Sequence, residues 1–187
     1  MKYLNIITVL ILSFNSSICQ ENKSEKIEWM SFEEAVKKNE TEPKKFIIDV
    51  WTTWCGWCKK MDATTFTNPQ IVEYINENYH AVKLNAERKD TVIIGGKTFI
   101  NENPNGRRSP HQLAISLLNG KMSYPSIVYL DENVNMLQPL AGYQDAKSIE
   151  PILHFFGENA YKTTEWPEFQ NTFKSTLGII NNSKRAN

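Results

Sequence analysis

The sequence predicts an α/β domain in which a central mixed β-sheet is flanked by helices. Its 187 residues suffice for one domain, and 41% hydrophobic with 22% charged residues is the composition of an ordinary globular protein. Apolar runs alternate with amphipathic helical patterns, as they do in parallel βα units. A short turn separates the last two apolar runs, which predicts an antiparallel hairpin and therefore a mixed sheet.

Residues 1–19 have the pattern of a secretory signal peptide. The apolar run is about eleven residues, shorter than the roughly twenty that a spanning helix needs. Small side chains at Ser17 and Cys19 suit cleavage before Gln20. We expect a periplasmic or extracellular protein that is soluble after cleavage, with no membrane-inserted segment. Ile18 argues against a lipid anchor on Cys19, although that alternative and an uncleaved anchor stay open.

The main domain is expected to span residues 31–160, after a polar linker at residues 20–30. Ser31 and Glu34 have the spacing of a capping box, in which each side chain binds the backbone N–H of the other. This pair predicts a short helix that ends near Asn39.

A buried strand and two helices follow. Residues 46–51 are mostly apolar and predict the strand, and residues 55–65 suit a helix. Asn68-Pro69 supplies an N-cap and a first-turn proline for a second helix that runs to Tyr79. Residues 80–84 then predict a second strand.

The segment at residues 85–120 differs from the alternating pattern around it. Gly95-Gly96 lies between two short β-prone runs and suits a tight hairpin, because glycine tolerates positive φ values. A polar loop follows. Ser109 is the expected N-cap of the next helix, Gln112 its third residue, and Gly120 its end.

Two strands and a helix complete the predicted sheet. The strands are expected at residues 126–130 and 135–141. Either Asp145 or Ser148 caps the following helix, and Ser148 is favoured because it places Pro151 in the first turn.

Residues 161–187 are expected to form a C-terminal helix and tail. Phe169, Phe173 and Leu177 recur at intervals of four, as on one face of an amphipathic helix. The last residues, 181–187, are expected to be frayed.

The chemistry of the chain is expected at Cys55-Gly56-Trp57-Cys58. A cysteine at a helix N-terminus lies by unpaired N–H groups, whose partial positive charge favours the thiolate. Lys59 and Lys60 follow directly and add to this bias. Cys58 lies one turn later, where it can attack a mixed disulfide formed by Cys55. The pattern therefore predicts dithiol–disulfide exchange, with Cys55 as nucleophile and Cys58 as the resolving thiol.

The segment Asp49–Lys59, Asp-Val-Trp-Thr-Thr-Trp-Cys-Gly-Trp-Cys-Lys, resembles the active-site segment of thioredoxin. Tyr124-Pro125 resembles the cis-proline that faces the dithiol in that family, and Gly142 falls where the family has a glycine. The resemblance covers roughly residues 44–84 and 121–157. It implies a thioredoxin-like fold, and the segment at 85–120 looks like an inserted hairpin and helix of exported relatives.

The resemblance implies a role for Asp49 as a catalytic residue. On a buried strand its pKa would be raised, and it could accept the Cys58 proton. Lys83 on the adjacent strand would modulate it. The resemblance also implies a surface that binds substrate around Cys55, formed by Trp54, Gly56, Trp57, Tyr124 and Pro125.

Two positions depart from the family. Trp57 stands where a proline is common between the cysteines, and Tyr124 is bulkier than the usual residue before the cis-proline. Both positions tune redox potential and substrate choice, so the direction of electron flow does not transfer from the family.

The sequence thus predicts an exported thiol-disulfide oxidoreductase that acts on protein thiols and disulfides. A reductase is favoured because Asp49 suits a reducing cycle, and an exported reductase needs an electron donor, for which a membrane protein is one candidate. No cofactor beyond the Cys55–Cys58 disulfide is expected. The alternative is a non-catalytic binding module whose dithiol is structural or holds a metal.

Other polar features predict no further site. Lysine and arginine together number 21, as do aspartate and glutamate, so no strongly basic surface is available for nucleic acid. There is no second Cys-x-x-Cys to complete a zinc site, and no metal is expected. Three histidines are interpreted as surface or helix-face residues: His80, His111 and His154. Arg107-Arg108 is interpreted as part of a solvated loop rather than as an anion site.

Overall fold

The computed structural model describes residues 25–178. The expected signal peptide at residues 1–19 and the frayed end at 181–187 lie outside these residues. The elements in chain order are α1 (Phe32–Asn39), β1 (Lys45–Trp51), α2 (Gly56–Thr64), α3 (Pro69–Asn78), β2 (Tyr79–Asn85), β3 (Val92–Ile94), β4 (Lys97–Phe99), α4 (Gln112–Leu117), β5 (Ser126–Leu130), β6 (Met136–Ala141), α5 (Ala146–Gly157), a 3-10 turn (Ala160–Lys162) and α6 (Trp166–Thr172).

The main sheet has the strand order β2-β1-β5-β6. β1 and β2 are parallel, whereas β5 is antiparallel to both β1 and β6. β3 and β4 form a separate antiparallel hairpin. The mixed sheet with an inserted hairpin and helix therefore agrees with the expectation. In the parallel pair, Asp49 lies opposite Lys83.

Each face of the sheet carries its own apolar core. Side chains alternate along a strand, so neighbours in β1 point to opposite faces. Ile47 packs in the core that contains Met61 of α2 and Ile75 of α3. Phe46 and Ile48 pack in the other core, together with α1 and α4. Asp49 has the same parity as Ile47 and therefore faces the side of the sheet covered by α2.

The caps of α1 and α3 and the turn between β3 and β4 form at the residues that the sequence predicts. The Ser31 backbone N–H donates to Glu34 Oε2 at 2.8 Å, and the Glu34 backbone N–H donates to Ser31 Oγ at 3.2 Å, which completes the capping box. Asn68 caps α3. Gly95 and Gly96 have φ values of 57° and 74°, which allow the tight turn between β3 and β4.

The expected start of α4 at Ser109 is wrong. His111 is the N-cap, and its Nδ1 accepts the Leu113 N–H at 3.1 Å. Ser109 is engaged elsewhere, because its hydroxyl donates to Asn101 Oδ1 at 2.8 Å. Ser109, which the local pattern favours as the N-cap, is thus used in a contact with another part of the loop.

The favoured start of α5 at Ser148 is also wrong. Asp145 is the N-cap and accepts the Ser148 N–H at 2.8 Å, so the other alternative applies. Pro151 consequently lies inside the helix rather than in its first turn.

The C-terminal helix is shorter than the spacing of its apolar residues predicts. α6 ends at Thr172, and Leu177 lies beyond it. Glu150 of α5 is buried and accepts bonds from the Thr176 N–H at 2.6 Å and the Thr176 hydroxyl at 2.8 Å. These bonds hold the chain in a non-helical path over α5.

The described part of the expected linker packs on the domain. Ile27 is buried, and the Trp29 ring meets the Phe66 ring edge-on at 5.0 Å. The Met30 N–H donates to the Ala81 carbonyl at 2.9 Å, as a short addition to the edge of β2. Apolar residues among the charges of this segment therefore make it part of the fold.

Candidate active site

The two cysteines lie where β1 leads into α2. Cys55 is the N-cap of the helix and Cys58 lies in its first turn, and the two form a disulfide with their Cα atoms 5.3 Å apart. The Cys58 N–H donates to Cys55 Sγ at 3.0 Å. A thiolate on Cys55 would therefore accept a hydrogen bond from an N–H of the first helical turn, which has no carbonyl partner within the helix. Cys55 is 5% exposed and Cys58 is 1% exposed.

Asp49 is a fully buried carboxyl on the α2 side of the sheet. Burial raises its pKa to about 6, although the ammonium of Lys83 opposes this rise. Its Oδ2 accepts from Lys83 Nζ at 2.5 Å, whereas its Oδ1 has no partner among residues 25–178. Asp49 can therefore gain and lose a proton near neutral pH.

Lys83 is shared between two carboxylates. Its ammonium also binds Asp62 Oδ1, from α2, and Asp62 is partly exposed. The rings of Trp29 and Phe66 lie 5.0 and 5.6 Å from the ammonium and shield it. Sequence reasoning missed Asp62. Its place four residues after Cys58, one helical turn along α2, is the signal that could have indicated it.

Trp54 forms one wall beside the disulfide and remains 46% exposed. Its Nε1–H donates to Glu87 Oε1 at 2.9 Å, and the Tyr124 ring meets it edge-on at 5.8 Å. The Arg108 guanidinium lies over its face, 4.4 Å from the ring centroid. The interpretation of Arg108 as a solvated loop residue is therefore incomplete, because the inserted segment reaches the active-site loop.

The inserted segment also borders a polar cavity next to the active-site loop. The cavity has a volume of about 240 Å³, and its lining includes Thr53, Glu87 and Asn105. Residues of the inserted segment and of the loop before Cys55 thus line the same cavity.

Trp57, between the two cysteines in the chain, is 56% exposed. Its ring packs against Tyr143 at 5.3 Å, and Lys60 Nζ lies 4.7 Å from its centroid. The Tyr143 hydroxyl is 3.1 Å from Thr64 Oγ1. Two large exposed indoles therefore flank the disulfide, as expected of a surface that contacts a partner.

The Tyr124-Pro125 peptide bond is cis, as the resemblance implies. The contact between Tyr124 and Trp54 brings this segment to the active-site loop. The Pro125 carbonyl accepts the N–H of Gly142, whose φ is 96°, at 2.8 Å. Gly56 occupies the first position of α2, where added side-chain atoms would meet nothing. The structure thus places Tyr124 and Pro125 beside the loop that carries Trp54, Cys55, Gly56, Trp57 and Cys58, and it places Asp49 on the side of the sheet that α2 covers.

The histidines are engaged away from the cysteines. His80 and His111 are buried, so their interpretation as surface residues is wrong. The rings of His80 and His111 bond the backbone carbonyls of Glu42 and Asp90 at 2.8 and 2.9 Å. Burial lowers the pKa of both. Within the described residues, no three acidic, histidine or cysteine side chains cluster as metal ligands would.

Sequence comparisons relate the chain to several proteins. Residues 10–96 match the family model Thioredox_DsbH, described as a protein of unknown function, DUF255. An uncharacterized protein of Archaeoglobus fulgidus is 31% identical over 65 residues, which are 35% of this chain and 51% of that protein. Spermatogenesis-associated protein 20 of Rattus norvegicus is 28% identical over 81 residues, or 43% of this chain and 10% of that protein. The chain thus spans about half of the archaeal relative and a small part of the rat protein.

Solved structures share the fold at low identity. A thioredoxin from Thermus thermophilus has a TM-score of 0.53 at 11% identity, over 80% of this chain and 99% of that one. The DsbH oxidoreductase has 0.51 at 14% identity, over 87% and 96%. A thioredoxin-fold protein from Helicobacter pylori has 0.51 at 17% identity, over 69% and 78%. These likenesses confirm the expected fold.

The helices of the described residues were compared with the length and hydrophobicity that a membrane span needs. No helix within residues 25–178 is long and apolar enough to cross a lipid bilayer.

Proposed function

We propose that this thioredoxin-like chain is an exported thiol-disulfide oxidoreductase that exchanges electrons with protein substrates through Cys55 and Cys58. The main support for this proposal is the disulfide at the start of α2. α2 covers the same face of the sheet on which Asp49 is buried. The fold and the disulfide support this class of reaction. Two exposed indoles, Trp54 and Trp57, supply a surface on which a partner chain can lie.

In the reduced protein, the Cys55 thiolate attacks a substrate disulfide and releases one substrate sulfur as a thiolate. Cys58 then attacks Cys55 Sγ, and the second substrate sulfur leaves. Two electrons pass from the dithiol to the substrate, and the protein ends with the Cys55–Cys58 disulfide seen in the structure.

Asp49 is proposed as the acceptor of the Cys58 proton. Cys58 is 1% exposed, so its proton needs an internal acceptor when the thiol must attack. A carboxyl with a pKa of about 6 is mostly ionised at neutral pH, and its Oδ1 is unpartnered within the described residues. This proton transfer supports the reducing direction of the cycle.

Serine variants test the roles of the two cysteines. With dithiothreitol as electron source, the wild type is expected to reduce insulin. Cys58→Ser is expected to accumulate mixed disulfides, visible on non-reducing gels, and Cys55→Ser to form none. Mixed disulfides in Cys55→Ser alone would reverse the two roles. If the wild type reduces nothing, the oxidoreductase proposal fails in favour of a binding module with a structural or metal-holding dithiol.

Export is proposed from the pattern of residues 1–19. In the compartment outside the cytoplasm, a reductase needs a supply of electrons, and we propose a membrane protein with its own dithiol as donor. Fractionation of the native host followed by N-terminal sequencing tests the export step. A mature chain that begins at Gln20 supports it, and an intact N-terminus in the cytoplasm contradicts it.

A further inference from the structure

We propose that Arg108 determines substrate specificity by binding the carboxylate of an acidic side chain close to the reacting cysteine of the partner protein. The inference rests on the proposed function, since it concerns the substrates of the same dithiol. The partner is thus an extended protein segment that carries both a cysteine and a nearby aspartate or glutamate.

The position of Arg108 places its charge next to the reaction. Its guanidinium lies 4.4 Å from the centroid of the Trp54 ring, and Trp54 directly precedes Cys55. A chain in the extended conformation advances about 3.3 Å per residue. A substrate whose cysteine lies at Cys55 therefore reaches Arg108 within a few residues.

The guanidinium of Arg108 is free to bind a ligand. Among residues 25–178 no hydrogen bond or ion pair uses it, whereas Arg88 in the same inserted segment binds both Glu33 and Asp90. A guanidinium stacked on an indole keeps its N–H groups at the edge, where they can bind a carboxylate through two parallel bonds. The contact with the Trp54 ring therefore holds the guanidinium of Arg108 in place without using its N–H donors.

The loop that carries Arg108 is held by buried hydrogen bonds. Asn101 is 6% exposed, and its Nδ2 donates to the carbonyls of Arg88 and Ser109 at 3.1 and 2.9 Å. Arg108 itself has a φ of 57°, in the left-handed region that is unusual for its residue type. A loop fixed in this way loses little conformational entropy when a substrate binds.

Arg108 is the cation that covers the face of Trp54, whereas Lys89 lies in the cavity beside Glu87, with its Nζ 3.4 Å from Asn105 Oδ1. Glu87 binds the N–H edge of the indole, whereas Arg108 covers the face, and no ion pair joins the two. Lys60 lies on the Trp57 side of the disulfide. An acidic side chain of the substrate would bind Arg108, whereas a basic side chain would bind Glu87. The charge that the protein prefers in its substrate therefore shows which of these two residues contacts the substrate.

Matched peptides test the proposal. Each peptide carries one cysteine as a mixed disulfide with 2-mercaptoethanol and, beside it, glutamate, glutamine or lysine. The reduced full chain is mixed with each peptide, and the released peptide thiol is quantified by chromatography. The reaction yields peptide thiol, 2-mercaptoethanol and oxidised protein. For the wild type we expect the glutamate peptide to react about fivefold faster than the glutamine peptide at low salt, and less so at high salt.

Three variants make the assignment specific. Arg108→Gln is expected to abolish the glutamate preference, and Arg108→Glu to reverse it in favour of lysine, which a loss of folding would not do. Arg107→Gln is the matched control, since Arg107 is exposed on the same loop, and it is expected to keep the preference. Equal rates in the wild type, a preference that survives Arg108→Gln, or an equal loss in Arg107→Gln would overturn the proposal. If no peptide reacts at all, the proposed function fails as well, whereas turnover without charge preference refutes Arg108 alone.

Discussion

Replacing Asp49 with asparagine is expected to stabilise the protein at neutral and alkaline pH. The pKa of Asp49 rises from its ordinary value of 3.8 to about 6, chiefly through burial. Each pKa unit corresponds to about 1.36 kcal/mol, so ionised Asp49 lowers the free energy of unfolding by about 3 kcal/mol. Asparagine has nearly the same shape and no charge. Lys83 keeps Asp62 as a partner, so the substitution leaves no orphaned ammonium.

The effect depends on pH with a definite sign. Well below pH 3.8, Asp49 is protonated in both the folded and the unfolded states and makes no difference to the free energy of unfolding. Between about pH 4 and pH 6 the unfolded state ionises first, so the stability of the wild type falls as the pH rises. Well above pH 6, Asp49 is ionised in both states, and its burial lowers the free energy of unfolding by the full amount of about 3 kcal/mol.

Urea unfolding of the oxidised wild type and Asp49→Asn, measured at pH 4 and at pH 8, tests this reasoning. We expect a gain for the variant of only about 0.5 kcal/mol at pH 4 and of about 3 kcal/mol at pH 8. The measurement at pH 4 serves as the internal control for changes in packing. A variant that is less stable than the wild type at pH 8, or a difference that does not vary with pH, would refute the account of Asp49.

Two further predictions concern charges and hydrogen bonds near α2 and α5. Removing the negative charge of Asp62 with Asp62→Asn should lower the pKa of Asp49, and removing the ammonium with Lys83→Met should raise it. Carbon-13 NMR of labelled aspartate carboxyls measures both shifts, and a shift in the same direction for both variants would contradict the shared ammonium. Glu150→Ala removes the acceptor of the Thr176 bonds and should cost about 2 kcal/mol in urea unfolding and speed cleavage after α6 by protease. Unchanged stability and cleavage would show that Glu150 does not hold this segment.

Short-range chemistry explains what the sequence alone could predict. Ser31 with Glu34, Asn68 with Pro69, and the Gly95-Gly96 turn each act within a few residues, and all three occur as expected. The strands of the sheet were also predictable, because a short apolar run in a small domain is most readily buried as a strand of the central sheet.

The contacts that the sequence could not indicate depend on the path of a loop or on the packing of distant elements. Ser109 lost its capping role to a bond with Asn101, which no local pattern records. Arg108 meets Trp54 across more than fifty residues, so its stacking depends on the path of the inserted loop. Asp49 was expected from the resemblance, whereas the ion pair of Asp62 with Lys83 depends on how α2 packs over the sheet, which the helical spacing of Asp62 from Cys58 does not specify.

The reduction potential of the Cys55–Cys58 pair shows whether the protein is a thiol-disulfide oxidoreductase that works as a reductant. The protein is equilibrated with mixtures of oxidised and reduced dithiothreitol or glutathione, and the thiol fraction is measured by alkylation. We predict a single two-electron transition near the thioredoxin value of about −270 mV, as a reductant requires. A value near the DsbA figure of about −120 mV would contradict the reducing direction. A pair that does not cycle reversibly would contradict the oxidoreductase account itself.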